Sequence, residues 1–188
     1  MPELHRFSVE DYHRLYELGI VKETDYVELI EGHLVLQRRP RSPLHCRTLS
    51  LVWNDLRAML PVGWDVRVHS GATLSDSEPE PDLAIVRDGQ DDYMRHHPGP
   101  DDIAAIIEVA DWTLALDRAD KCRIYARAGI PVYWIVNLVD NQIEVYTSPV
   151  GDPTPGYRDR IDRHAGDDID VILDGRRVGS VSVAAVFA

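Results

Sequence analysis

Residues 103–138 read IAAIIEVADWTLALDRADKCRIYARAGIPVYWIVNL, and this stretch decides the fold. Ile103 to Val109 is nearly continuously apolar, the pattern of a central strand covered on both faces. Asp117 to Ala128 has helical spacing, and Gly129 followed by Pro131 ends it. Val132 to Leu138 is a second strand of the buried type. Strand, helix and strand at this spacing predict a parallel pair joined by a helical crossover.

Downstream, Gln142 to Tyr146 is expected to return as a hairpin through a tight turn at Val139–Asn141. Residues 148–168 read as turn-rich, Ile169 to Leu173 as an edge strand and Val181 to Phe187 as a terminal element. Upstream, the polar loop SDSEPEP at 75–81 leads into a strand at Asp82–Val86, and Trp64–Val68 is a further strand. The acidic stretch 88–101 is a loop. Leu44 to Leu60 is a long helix closed by Pro61, and residues 25–38 form a hairpin turning at Glu31-Gly32. Ser8 caps a first helix, with Asp11 in the capping-box position. The sum is an α/β fold, a mixed β-sheet flanked by helices, with residues 1–188 expected to form one domain.

Composition narrows the function classes. Apolar residues make up 44% of the 188 and charged residues 28%, as in ordinary globular chains. No apolar run approaches the roughly 18 residues that a spanning helix needs, so no membrane association is expected. The N-terminus has no basic start followed by an apolar stretch, so no signal peptide is expected. Cys46 and Cys122 read as buried or inert thiols in a reducing compartment, which makes the cytoplasm the expected location. A formal charge of −12 opposes nonspecific phosphate binding. Local basic stripes at Arg38, Arg39 and Arg41, or at Arg118, Lys121, Arg123 and Arg127, would offset it. Glycine-loop nucleotide motifs and the GxSxG elbow are absent.

Three acids stand inside apolar runs: Glu28 in VELI, Asp82 at the start of a strand, and Glu108 in IIEVAD. An unpaired buried carboxylate is costly, so each needs a partner. A divalent cation held by oxygen ligands is one answer, and an Arg or Lys ion pair or a wet strand end is another. His45, at the start of the long helix, suits a phosphate, a metal-bound water, a cap or a packing role. His96 and His97 read as surface residues. Asp117 and Lys121, four apart, share a helix face, and on spacing alone they make a surface ion pair.

Five segments in order, YVELIEG at 26–32, SPLH at 42–45, SEPEPDLAIVR at 77–87, IIEVAD at 106–111 and DRADKCRIYARAGIPVYWIVNL at 117–138, resemble the Uma-two family of the PD-(D/E)XK nuclease superfamily. The resemblance covers about Phe7 to Tyr146. It implies a restriction-endonuclease-like core and a divalent-metal nuclease site. On it, Asp82 is the Asp of the PD motif, Glu108 the acid of the ExK-type motif and Glu28 the acid of the N-terminal element. Ala110 stands where that motif has lysine, and Lys121 occupies the displaced position on the following helix, one turn after Asp117. Trp112 replaces a small hydroxyl residue and Tyr133 an acid. The resemblance therefore implies a metal-dependent endonuclease hydrolysing phosphodiester bonds in DNA. Its catalytic residues would be Glu28, Asp82, Glu108 and Lys121, with Mg2+ or Mn2+ held by Asp82 and Glu108 and a third position for Glu28. A homodimer and a targeting protein are the partners such a free-standing nuclease would need. The alternative is a noncatalytic nucleic-acid or protein interaction domain that retains the fold.

Overall fold

The structure, a computed structural model, describes residues 4–36, 41–89 and 92–188. Arg38 and Arg39 lie outside the described residues. In chain order the principal elements begin with α1 (Val9–Glu17), the hairpin β1 (Val27–Ile30) and β2 (His33–Leu36), and α2 (Pro43–Met59). Then come β3 (Trp64–Val68), β4 (Leu83–Arg87) and β5 (Ile103–Ala110). A helical segment follows in three pieces: α3 (Leu114–Leu116), a π-helical turn (Asp117–Lys121) and α4 (Cys122–Arg127). The chain closes with β6 (Val132–Asn137), β7 (Gln142–Val150), β8 (Gly156–Arg163), β9 (Asp168–Leu173), β10 (Arg176–Ser182) and α5 (Val183–Val186).

Among the described residues, β3 to β8 form one sheet in sequence order. Its β5–β6 pair is parallel, Ala105 opposite Val132 through Ala110 opposite Asn137, and the other pairs are antiparallel. This is the α/β fold with a mixed sheet that residues 103–138 predict. Alternation along the central strands splits the core. Ile107, Val109, Trp134 and Val136 pack with α2, α5 and the β9–β10 hairpin. Ile106, Ala110, Tyr133 and Ile135 pack with α4 on the opposite face. Burying each large side chain is worth about 1.5–3 kcal/mol, enough to hold a sheet whose centre also carries charge.

Caps explain the helix starts. The Ser8 hydroxyl accepts the Asp11 N–H while the Asp11 carboxylate accepts the Ser8 N–H, so the capping box is complete. Ser42 accepts the His45 N–H at 3.1 Å and Pro43 occupies the first turn, so SPLH is a helix start that points His45 inward. The β1–β2 turn sits at positive φ on Glu31 and Gly32. A side chain at Gly32 would also press on the backbone of Arg6 and Phe7.

Three sequence expectations change. Residues 148–168 are largely strand: β7 runs on to Val150 and β8 is an edge strand whose GYRDRIDR sequence is mostly exposed. Having no apolar face, β8 carries no hydrophobic signal. Ile169–Leu173 does not join the main sheet but pairs with β10 in a separate hairpin. Cys46, on α2, is exposed, whereas Cys122 is buried.

Candidate active site

Antiparallel β4 and β5 place Leu83 opposite Ile107, which brings Asp82 beside Glu108. Val109 N–H donates to Asp82 Oδ2 at 2.8 Å, and Asp82 N–H donates to Glu108 Oε2 at 3.2 Å. Glu108 Oε1 accepts from Lys121 Nζ at 2.8 Å and from Tyr125 OH at 2.9 Å. Lys121 Nζ also lies 3.7 Å from Glu28 Oε2. Glu28 arrives on β1, which is bridged to the loop before Asp82 by Glu78 N–H donating to the Leu29 carbonyl at 2.7 Å. Asp82, Glu108, Glu28 and Lys121 are thus brought together, all of them buried. Asp117 is buried as well, and with Lys121 it bounds a wide helical turn, so the pair is no surface ion pair. Such turns recur at functional sites. Tyr133 OH donates to the Asp117 carbonyl at 3.1 Å and helps fix this turn.

These groups line a cleft of about 570 Å³, with half-exposed Trp112 among its lining residues. Among the described residues lining it, six acids, Glu28, Glu80, Asp82, Glu108, Asp111 and Asp117, face two permanent cations, Arg41 and Lys121. The imbalance is visible in the proton affinities. Burial, only partly countered by Lys121 and reinforced by Glu108, pushes Glu28 up to about 7. Burial together with the Glu108 charge pushes Asp117 up to about 7. Burial also raises Glu108, against the pull of Lys121. Asp82 goes the other way: burial would raise it, but the His45 and His69 rings beside it, with the Val109 N–H, hold it well below the usual carboxylate range. For Lys121, burial opposes the charge, and Glu108, Glu28 and Asp117 outweigh it, so the ammonium is held charged. Among the described residues, buried Glu28 Oε2, Asp117 Oδ2 and His45 Nε2 have no hydrogen-bond partner. Oxygen-rich, over-acidic and left with orphaned acceptors, the cleft suits a divalent cation.

His69 is the residue that sequence reasoning missed. Its Nε2 lies 3.1 Å from Asp82 Oδ1, and His45 Nε2 lies 3.3 Å from the same oxygen. The β3–β4 register, Val68 opposite Leu83, carries His69 to Asp82, and the His69 N–H donates to the Asp82 carbonyl at 3.2 Å. A histidine directly after the strand that pairs with the Pro81-Asp82 strand was the available signal. The second expected basic stripe is cancelled: Arg118 pairs with Glu144, Arg123 with Glu31 and Asp120, and Arg127 with Glu31 and Asp76. His96 is exposed, but His97 is half-buried against Gly71, where a side chain would strike its ring at 2.7 Å.

The family model described as "Uma2: Putative restriction endonuclease" matches residues 9–173. The chain belongs to the Uma2 family. A solved structure, described as a putative nuclease belonging to DUF820 from Anabaena variabilis, covers 96% of this chain and 97% of its own at 13% identity, with a TM-score of 0.67. At that identity the likeness shows a shared fold. No curated protein matches the chain. Uma2 membership supports nuclease function. Among the described residues, no helix is long and apolar enough to cross a membrane.

Proposed function

We propose that this Uma2 chain is a metal-dependent endonuclease that hydrolyses phosphodiester bonds in DNA, with Glu28, Asp82, Glu108 and Lys121 as its catalytic residues. One observation carries the reading: Lys121 reaches across from the helical segment to lie against Glu108, itself beside Asp82, in an over-acidic cleft. Asp82 and Glu108 would hold Mg2+ or Mn2+, with Glu28 completing the shell. A cation bound there supplies Lewis-acid polarisation of the scissile phosphate and stabilises its developing charge.

The protein groups have separable tasks. Lys121 is not the base, because its raised proton affinity keeps it without a lone pair. Its ammonium stabilises negative charge on the phosphate and orients the attacking water, whose oxygen bonds to phosphorus as a P–O bond to the leaving oxygen breaks. Tyr125 and Lys121 fix Glu108 in one orientation through hydrogen bonds to the same oxygen. Arg41, half-exposed and 3.7 Å from Asp82 Oδ1, is placed to meet a phosphate entering the cleft. Residues 1–188 act as one domain in this reading, supported by the packing of β9, β10 and α5 into the apolar cluster that α2 shares.

The net charge of −12 and the cancelled basic stripe favour a second reading, an interaction domain that keeps the fold without cutting. A cleavage screen over duplex and branched DNA, with Mg2+ or with chelator, separates the two. Wild type and Glu108→Ala should be purified alike. Metal-dependent cleavage by wild type that is lost in the variant supports the endonuclease. Equal cleavage by both points to a contaminant and sinks it. Metal binding with no cleavage across the panel favours the second reading.

A further inference from the structure

We propose that His45, His69 and Asp82 form a nitrogen-rich cation position, selective for divalent transition metals such as Co2+, Mn2+ or Zn2+, at the Asp82 Oδ1 atom. The inference rests on the cleft being the working site and specifies which metals it takes. His45 Nε2 and His69 Nε2 converge on one oxygen, Asp82 Oδ1, at 3.3 and 3.1 Å, and all three donor atoms lie within 4.8 Å of one another. Metal–ligand bonds of about 2.0–2.2 Å place adjacent donors about 3 Å apart, so two edges of the triangle already have coordination dimensions.

The state of His45 strengthens the case. The residue is 6% exposed, and its Nε2, aimed at a carboxylate oxygen, has no hydrogen-bond partner among the described residues. A cation held between the ring nitrogen and the carboxylate would satisfy both. His69 is held with its backbone at φ 44, in the left-handed region, by the bond from its N–H to the Asp82 carbonyl. Departures of this kind persist where the surrounding structure enforces them. The other Asp82 oxygen accepts Val109 N–H. Asp82 Oδ1 is therefore the oxygen of this carboxylate on which both rings converge. Arg41 stands 3.7 Å away, and with its side chain 44% exposed it has solvent to swing into. Imidazole nitrogens favour transition cations, whereas Mg2+ prefers oxygen and retains its waters.

The test titrates chelator-stripped protein with Co2+, followed by visible absorption, and records nitrogen couplings of bound Mn2+ by pulsed electron paramagnetic resonance. Wild type should bind Co2+ and show imidazole nitrogen coupling to Mn2+. His69→Gln should bind Co2+ at least ~10-fold more weakly. His69 is the informative histidine because it is partly exposed, and Tm measurements verify that the variant is folded. Unchanged Co2+ affinity in folded His69→Gln, or absence of nitrogen coupling to Mn2+, overturns the proposal. The same samples go through the DNA screen with Mg2+. Cleavage alongside a His69-independent metal sinks the nitrogen site and leaves the nuclease reading standing. A His69-dependent metal with no cleavage does the reverse.

Discussion

Two buried glutamates sit on the same face and the same row of the sheet, Glu108 on β5 and Glu144 on β7, with Ile135 of β6 between them. Both are met by a cation from the same wide helical turn, Lys121 for the first and Arg118 for the second. Their states are opposite. Both Glu144 oxygens accept from Arg118 Nε at 3.1 Å, and the carboxylate also accepts from Asn137 Nδ2 at 2.9 Å and from Tyr146 OH at 2.7 Å, with Arg160 at 3.3 Å. Burial alone would raise it, but those partners bring it down to about 2. Glu108 shares its single ammonium with Glu28 and Asp117, and its proton affinity is raised. The same ingredients, spaced two strands apart, make a saturated lock in one place and an unfinished charge balance in the other. Unfinished balance is what a site that recruits cations or phosphates requires.

The comparison breaks first at the lock. Glu144→Ala strands Arg118, Asn137 and Tyr146 and should cost about 3–5 kcal/mol of stability, read as a lower denaturation midpoint at unchanged m-value. A loss below about 1 kcal/mol would remove the contrast. At the other glutamate, Lys121→Met keeps the long stem and removes the ammonium. Cleavage should slow by roughly 10²–10³-fold in a protein that still folds and binds Mg2+. Full activity over a range of substrates and pH would dismiss Lys121 from the chemistry.

A smaller effect sharpens the electrostatic half. Glu28 and Asp117 have proton affinities raised to about 7 in the folded protein, so the folded chain binds more protons than the unfolded one above the ordinary carboxylate range. Stability without metal should fall as pH rises from about 5 to 8, by roughly 1–3 kcal/mol. Thermal unfolding in chelator at pH 5.5 and 8.0 reads this out. Glu28→Gln should flatten the slope, and a rising Tm over this interval would contradict the assignment. Smallest is the effect of adding Mg2+ at pH 8: ten times its Kd should recover about 1.4 kcal/mol, and less at pH 5.5, where protons compete for the same carboxylates.

The acids in apolar runs were legible because burial makes a charge conspicuous in sequence: VELI and IIEVAD announce Glu28 and Glu108. The parallel pair and its crossover were legible from hydrophobic continuity, and the register then brought Asp82 to Glu108 without any further signal. His69 was hidden because its role depends on which strands are neighbours, a nonlocal fact. Glu144 was hidden because a strand position tells nothing of the two arginines that close on it, one of them from β8. β8 itself was illegible for want of an apolar face. The π-helical turn was missed because its period departs little from the ordinary helical one over five residues.

The β1–β2 hairpin is a separate two-stranded sheet, attached by the Leu29–Glu78 bridge and by Arg123 and Arg127 gripping Glu31 at its turn. Glu28 therefore rides on a part that shares no ladder with the strands carrying Asp82 and Glu108. A small cooperative unit of this kind opens at less free energy than the central sheet. Its amide hydrogens should exchange before those of β5, and the wall of the cleft that bears Glu28 is then the one that can yield to a bulky polymer while the other acids keep their places.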